Sequence, residues 1–157
     1  MAVNFRLVSE FQTIQRRPFA LADTGILNPN NVRPLVEGEW LQLDASYQME
    51  RGGDNAGNLT DEASVPSFCY FAEQGRYETQ AIGKGPFLYM GGFEADTLIM
   101  DSTGLAVGDE LAVFDIDVGG AGIIRRGLGE QSAGLIIGYV TRLPASNNNY
   151  LRFIKTF

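Results

Sequence analysis

Short apolar runs separated by turn-forming residues dominate the chain from Gly38 onward. Gly, Pro, Asn and Asp lie between the runs, a spacing typical of β-strands joined by turns rather than of long helices. The pattern predicts seven strands, at residues 39–43, 65–72, 87–90, 93–100, 110–116, 134–142 and 150–156. About seven short strands suit a small β-barrel, a β-tulip or a sandwich, so the predicted fold class is all-β.

Two of the predicted strands are apolar at successive positions instead of alternating. They are Leu-Ala-Val-Phe at 111–114 and Leu-Ile-Ile-Gly-Tyr-Val at 135–140. A strand with one solvated face alternates, whereas a continuous apolar run indicates burial on both faces. We therefore expect both faces of each run to be buried. The second face is covered either by the domain itself or by a partner protein.

Residues 1–34 differ from the rest, because their aromatic residues are scattered among arginines. Val8, Phe11 and Ile14 have a spacing compatible with one short amphipathic helix. Alternatively, Pro18 and Pro29 favour extended backbone before them. We prefer an extended N-terminal arm at 1–34 preceding a single β domain at 35–157. A further alternative is that these aromatic side chains pack back on their own domain.

Two segments of the chain resemble each other around a glycine. Residues 35–44 and 105–115 both contain Leu-x-x-Gly and an acid before a strand that ends in Asp. Glycine tolerates a positive φ, so the shared pattern predicts a tight turn into a strand at Gly38 and at Gly108. The long polar segment at 46–64, and the shorter ones at 117–134 and 144–149, are predicted loops of functional interest.

The overall composition supports a folded domain, and the charge pattern narrows its partners. The chain is 45% hydrophobic and only 20% charged, unlike a disordered chain. The net charge of −7 divides into +2 for residues 1–33, −13 for 34–117 and +4 for 118–157. Because an acidic middle repels phosphate backbones, nucleic acid is not an expected partner. The basic ends favour contact with an acidic surface on a neighbouring subunit.

The residues needed for common catalysis are missing from the sequence. The chain has no histidine, which is the commonest general base and metal ligand. Cys69 stands alone, so it forms no intramolecular disulfide or cysteine zinc site and is expected to be a buried thiol. We predict no catalytic residues, no cofactor, no metal and no enzyme activity.

Two weaker candidate sites remain. Asp115 and Asp117 fall on one face of a strand and fit either Ca²⁺ binding with loop oxygens or, preferably, a solvated strand end. Trp40, Tyr47 and Tyr70 are the candidates for a carbohydrate- or ligand-binding pocket, although a Trp that opens a strand more often belongs to the core.

Membrane association is not expected. The first six residues lack the continuous apolar stretch of a signal peptide, and no apolar run approaches the ~20 residues that span a bilayer. We expect synthesis in the cytoplasm.

An aromatic, arginine-bearing N-terminal segment, a Leu-x-x-Gly turn before a strand and a Gly-rich small β domain resemble the capsid decoration (cement) proteins of tailed bacteriophages. The resemblance is clearest at 34–44, 105–115 and 134–157. It implies a non-enzymatic virion structural protein, often a homotrimer, that lies on the capsid surface, bridges major capsid proteins and stabilises the shell. It implies no catalytic residues.

Our sequence-based hypothesis is that the arm binds a major capsid protein while the β domain forms a homotrimer. The predicted capsid-binding residues are Phe5, Arg6, Phe11, Arg16, Arg17 and Phe19. Two alternatives are kept: another virion component, such as a head fibre base or tail protein, and a cytosolic carbohydrate- or ligand-binding β-barrel.

Overall fold

The structure is a computed structural model that describes residues 3–11, 13–72 and 84–156, and these residues are all-β. The strands are β1 (Phe5–Glu10), β2 (Gln15–Ala20), β3 (Trp40–Leu43), β4 (Met49–Glu50), β5 (Ser67–Tyr70), β6 (Lys84–Met90), β7 (Phe93–Thr97), β8 (Glu110–Asp117), β9 (Ile124–Glu130), β10 (Gly138–Arg142) and β11 (Leu151–Lys155). Short 3-10 turns occur at Thr24–Leu27 and Val118–Gly120. Among these residues there is no helix of the length and hydropathy that crossing a membrane requires.

The strands form two antiparallel sheets. One has six strands in the order β1-β7-β11-β10-β8-β9, and the other has five in the order β2-β6-β5-β3-β4. The prediction of an all-β fold is confirmed. The sheets are not closed into a barrel, and a two-layer sandwich describes them.

The main core lies between the two sheets. The six-stranded sheet contributes Phe5, Phe93 and Phe153, and the five-stranded sheet contributes Trp40 and Cys69. Trp40 meets Phe153 edge to face, with ring centroids 6.2 Å apart. Burial and nearby negative charge raise the pKa of the Cys69 thiol well above its usual value, so it stays neutral. The prediction that Cys69 is buried is confirmed.

A second apolar cluster covers the outer face of the five-stranded sheet. Leu41 and Phe87 point into it, whereas their chain neighbours Trp40 and Leu88 point into the main core. Ile26 and Leu27 of the first 3-10 turn close this cluster, together with Phe19, Leu21 and Met49. Residues from the N-terminal third therefore belong to the domain's own packing.

Each of the seven predicted strand segments overlaps an observed strand, while β1, β2, β4 and β9 were not predicted. The expectation of burial on both faces is confirmed for 111–114, because Leu111 and Val113 enter one cluster and Ala112 and Phe114 another. It is wrong in part for 135–140: the strand begins at Gly138, and Leu135 and Tyr139 are exposed.

The N-terminal segment 1–34 contributes one strand to each sheet. β1 is the edge strand beside β7, and β2 is the edge strand beside β6, so the chain crosses from one sheet to the other between them. The short-helix interpretation is wrong, and an arm separate from the domain is not confirmed. The physical reason is burial: Phe5 is 0% exposed, and sequestering such a side chain contributes about 1.5–3 kcal/mol.

The two similar segments form the same turn. Gly38 and Gly108 have φ values of +93° and +94°, which only glycine adopts without strain. In each turn, the acid after the glycine accepts a hydrogen bond of 2.8 Å from the backbone N–H three residues before it. These acids are Glu39 and Asp109, and the turns lead into β3 and β8, as the sequence predicts.

Candidate functional site

A buried ion-pair network surrounds Glu39, the acid in the first of these turns. Its carboxylate is 0% exposed and accepts two hydrogen bonds of 3.1 Å from Nε and Nη2 of Arg51. Arg125, from β9, donates a further bond of 3.1 Å through Nη1. One carboxylate therefore holds two guanidinium groups and joins the turn before β3 to both sheets.

Arg33 lies next to this network but has a different environment. Its Nη1 donates to Oδ1 of Asn55 at 2.8 Å, and its backbone carbonyl accepts from Nη1 of Arg51 at 2.8 Å. Within the described ranges its guanidinium pairs with no carboxylate. Burial, and then the positive charge of Arg51, lower the pKa of Arg33 below its usual value.

Arg33 and Arg51 face a cavity of about 620 Å³. Asp23 and Glu50 are the acids of its wall. The apolar part of the wall consists of Ile26, Val32, Met49 and Ile123. Val32 is 95% exposed at the rim. A concave site of this volume that combines apolar walls with a few polar groups is typical of small-molecule binding sites.

Three aspartates meet beside the cavity. Ligand atoms of Asp54, Asp61 and Asp115 all lie within 4.8 Å of one another. The guanidinium of Arg126 supplies the counter-charge, with Nη1 2.8 Å from Asp115 and 3.7 Å from Asp61. Arg126 thus supplies the positive charge that a bound metal ion would otherwise supply to these aspartates. The same contacts connect the 51–61 loop to β8 and β9.

The Ca²⁺ interpretation of Asp115 and Asp117 does not match this geometry. Asp115 is buried against Arg126, while Asp117 is exposed and accepts from the backbone N–H of Gly122 at 2.8 Å. The two carboxylates therefore serve separate contacts. The prediction of a solvated strand end is confirmed for Asp117 and wrong for Asp115. Burial raises the pKa of Asp115 above its usual value against the opposing effect of Arg126.

The predicted long loop is fastened at its far end as well. The carboxylate of Glu62 accepts bonds from the backbone N–H groups of Ser132 and Ala133 at 3.0 and 2.9 Å. Burial favours the neutral acid, but these bonds outweigh it and lower the pKa of Glu62. Ala63 then bonds to the carbonyl of Val113 at 2.8 Å.

The six predicted capsid-binding residues divide into buried and accessible ones. Phe5 and Phe19 are buried in the two clusters, so their side chains are taken up by the domain itself. Arg16 binds Glu10 at 3.0 Å. Phe11 and Arg17 have exposed side chains. Arg17 forms no ion pair with another described residue, and its guanidinium lies over the rings of Phe19 and Tyr89.

Arg6 belongs to a second ion-pair network, which surrounds Asp96 of β7. Asp96 is buried and lies 2.8 Å from Arg6 of β1 and 2.8 Å from Arg152 of β11. Arg142 of β10 approaches to 3.5 Å. Burial acts to raise the pKa of Asp96, but hydrogen bonds from Arg152 and Arg6 outweigh it, so the pKa lies below its usual value.

The ion pairs of Asp96 make the free energy of unfolding depend on pH. A lowered native pKa contributes stability that is complete above the unfolded-state pKa and is lost as pH falls through the native one. Because the arginine partners are partly exposed, we expect Asp96→Asn to cost about 2 kcal/mol at pH 7, with the difference from wild type shrinking over the acidic range below about pH 5. Urea unfolding across this range measures it, with exposed Glu110→Gln as the control. A pH-independent difference would contradict the assignment.

One end of the sandwich carries an apolar surface. A groove of about 360 Å³ is lined by Phe68, Tyr89 and Ile137, among others, with Lys155 beside it. Met90 and Leu135 line the groove and are exposed. Val65 precedes the lining residue Pro66, and the ring of Phe11 lies beside Gly92, as does the backbone carbonyl of Lys155. We call these four exposed apolar residues the apolar end patch: Phe11, Val65, Met90 and Leu135. Burial lowers the pKa of Lys155 to about 8.

The aromatic residues considered for a ligand pocket are not brought together. Trp40 is fully buried in the main core, and Tyr70 packs against Phe87 in the second cluster, with ring centroids 5.6 Å apart. Tyr47 is exposed between β3 and β4, at a φ of +59°. A pocket built on these three residues is therefore wrong, and the expectation that Trp40 belongs to the core is confirmed.

Comparison with known proteins adds no relative: no family model, no curated protein and no solved structure matches the chain.

Proposed function

We propose that the protein is a non-enzymatic virion component that decorates and stabilises a tailed-phage capsid by bridging major capsid proteins. The observation that supports this most is the apolar end patch. Met90 and Leu135 line the groove and expose 52% and 42% of their surface, and Phe11, beside Gly92, exposes 54%. Contiguous exposed apolar surface of this kind marks protein–protein contact sites.

The N-terminal segment contributes Phe11 to this patch and places Arg17 close to the groove. The backbone N–H of Phe11 bonds to the carbonyl of Gly92, which places its ring by the turn between β6 and β7. The guanidinium of Arg17 lies 5.4 Å from the ring of Tyr89, one of the groove residues. Phe11 and Arg17 therefore offer an apolar contact and a positive charge to the same partner surface.

A decoration protein gains from repetition. We propose a homotrimer, because three weak patches held together bind a lattice with a high effective concentration. An acidic surface on the capsid subunit would be complementary to Arg17 and would set the orientation of docking.

Point substitutions test docking better than removal of residues 1–34, since that removal would take away β1, β2 and the buried Phe5. We expect Phe11→Ser combined with Arg17→Glu to lower the affinity for undecorated phage shells about a hundredfold or more, because the pair loses apolar burial and reverses a charge. Co-sedimentation with shells, followed by electron microscopy, measures this.

Val107→Ser is the matched control, since Val107 is an exposed apolar residue outside the patch. It should bind shells as wild type does. A folded double variant that decorates shells undiminished would exclude the patch as the docking surface, and failure of the wild-type protein to bind shells would overturn the proposed function. Sedimentation at equilibrium tests the trimer, which a monomer at all concentrations would contradict.

A further inference from the structure

We propose that the cavity beside Arg33 binds a small carboxylate-bearing molecule that also presents hydroxyl groups, an acidic sugar of the uronic acid class. The site is separate from the apolar end patch and does not depend on the proposed capsid role. Its evidence is the combination of one incompletely used guanidinium, two wall carboxylates and an apolar wall in a single cavity.

The guanidinium of Arg33 supplies the binding group for a carboxylate. Only one of its hydrogen bonds is made within the described residues, to Asn55, although a guanidinium has five N–H donors in a planar fork. Arg51 and Arg125 both bond to the carboxylate of Glu39, whereas the guanidinium of Arg33 has no carboxylate partner among the described residues. A carboxylate placed against Arg33 would form a charge-assisted, two-point contact.

The two acids of the wall, Asp23 and Glu50, determine what else the ligand carries. Oδ1 of Asp23 accepts from the N–H of Gly25, and Oε1 of Glu50 accepts from Nε2 of Gln42. Each carboxylate has further acceptor positions, and an ionised carboxylate only accepts. These two negative charges disfavour a phosphate dianion. They favour hydroxyl groups, which donate to carboxylates without adding negative charge.

The apolar wall fits the remaining surface of such a ligand. Ile26, Met49 and Ile123 line the cavity, with Val32 at its rim, so they present hydrocarbon to the C–H face of a sugar ring. A volume of about 620 Å³ holds one or two sugar units within the usual range of ligand pockets, roughly 300–1,000 Å³.

The test is a titration of the full chain with glucuronate, followed by the NMR signals of backbone N–H groups and arginine Nε–H groups. We expect saturable shifts at Asn55 and at Nε of Arg33. Glucose lacks the carboxylate, so its affinity should be lower than that of glucuronate by at least about tenfold. Inorganic phosphate should also bind more weakly than glucuronate. A glucuronate oligomer added in parallel distinguishes a free acid from the end of a polysaccharide.

Two variants make the result specific to the fork of Arg33. Arg33→Gln should abolish the glucuronate shifts, and Arg33→Lys, which keeps the charge but not the planar fork, should weaken binding about tenfold. Arg17→Gln removes an exposed arginine elsewhere and should leave binding intact. Absence of saturable shifts with glucuronate would overturn the proposal, as would equal binding by Arg33→Lys, by glucose or by phosphate.

Discussion

Glu39→Gln should lower the free energy of unfolding by about 3–5 kcal/mol, because it removes the carboxylate charge that Arg51 and Arg125 share and leaves their own charges desolvated. The amide has nearly the same shape, so the loss would come from charge rather than from a cavity. Urea unfolding at pH 7 measures the effect as a shift of the midpoint at unchanged slope.

The second turn provides a matched control for this variant. Asp109 accepts the same backbone hydrogen bond as Glu39 but makes no ion pair within the described segments. Asp109→Asn should therefore cost only about 0.5–1.5 kcal/mol, the usual contribution of one such bond. If both variants lose the same stability, the turn and not the ion-pair network is what Glu39 supports.

Phe5→Ala should destabilise the protein by about 3–5 kcal/mol, as large-to-small changes of buried Phe usually do. The ring is fully buried and contacts Phe71, Phe93 and Phe153, with centroids 5.3, 6.4 and 6.4 Å away. Chemical unfolding measures the loss, and proteolysis would show cleavage near β1 if this strand detaches first.

Val8→Ala in the same strand is the control, because Val8 is exposed and should change stability by less than about 0.5 kcal/mol. A wild-type-like Phe5→Ala would mean that β1 is not held by the core, which would favour the free arm predicted from the sequence.

The fold class follows from the sequence because seven strands keep their apolar pattern. β9 was not predicted because its residues 124–130 carry two arginines and two glycines, and the burial of Arg126 depends on its ion pair with Asp115. β1 was missed for another reason: its partner β7 lies about ninety residues away, and no local pattern specifies that pairing.

The cavity was less accessible to sequence reasoning than the strands. Its polar residues come from separate segments around 23, 33, 50 and 55, which only the tertiary fold brings together. One signal was present: Glu39 is an acid between Gly38 and the apolar Trp40-Leu41, and a buried carboxylate requires a basic partner. That signal indicates an ion pair, but it does not say which of the twelve Lys and Arg residues provides it.

The position of β1 has a consequence for how the protein is made. Phe5 leaves the ribosome before its partners, because its strand pairs with Phe93–Thr97 and β7 in turn pairs with Leu151–Lys155. At usual synthesis rates Phe5 waits on the order of ten seconds for β11 to be made. Chaperones that recognise apolar segments therefore have a target in β1 during this interval, and the six-stranded sheet is completed only after β11 has been released.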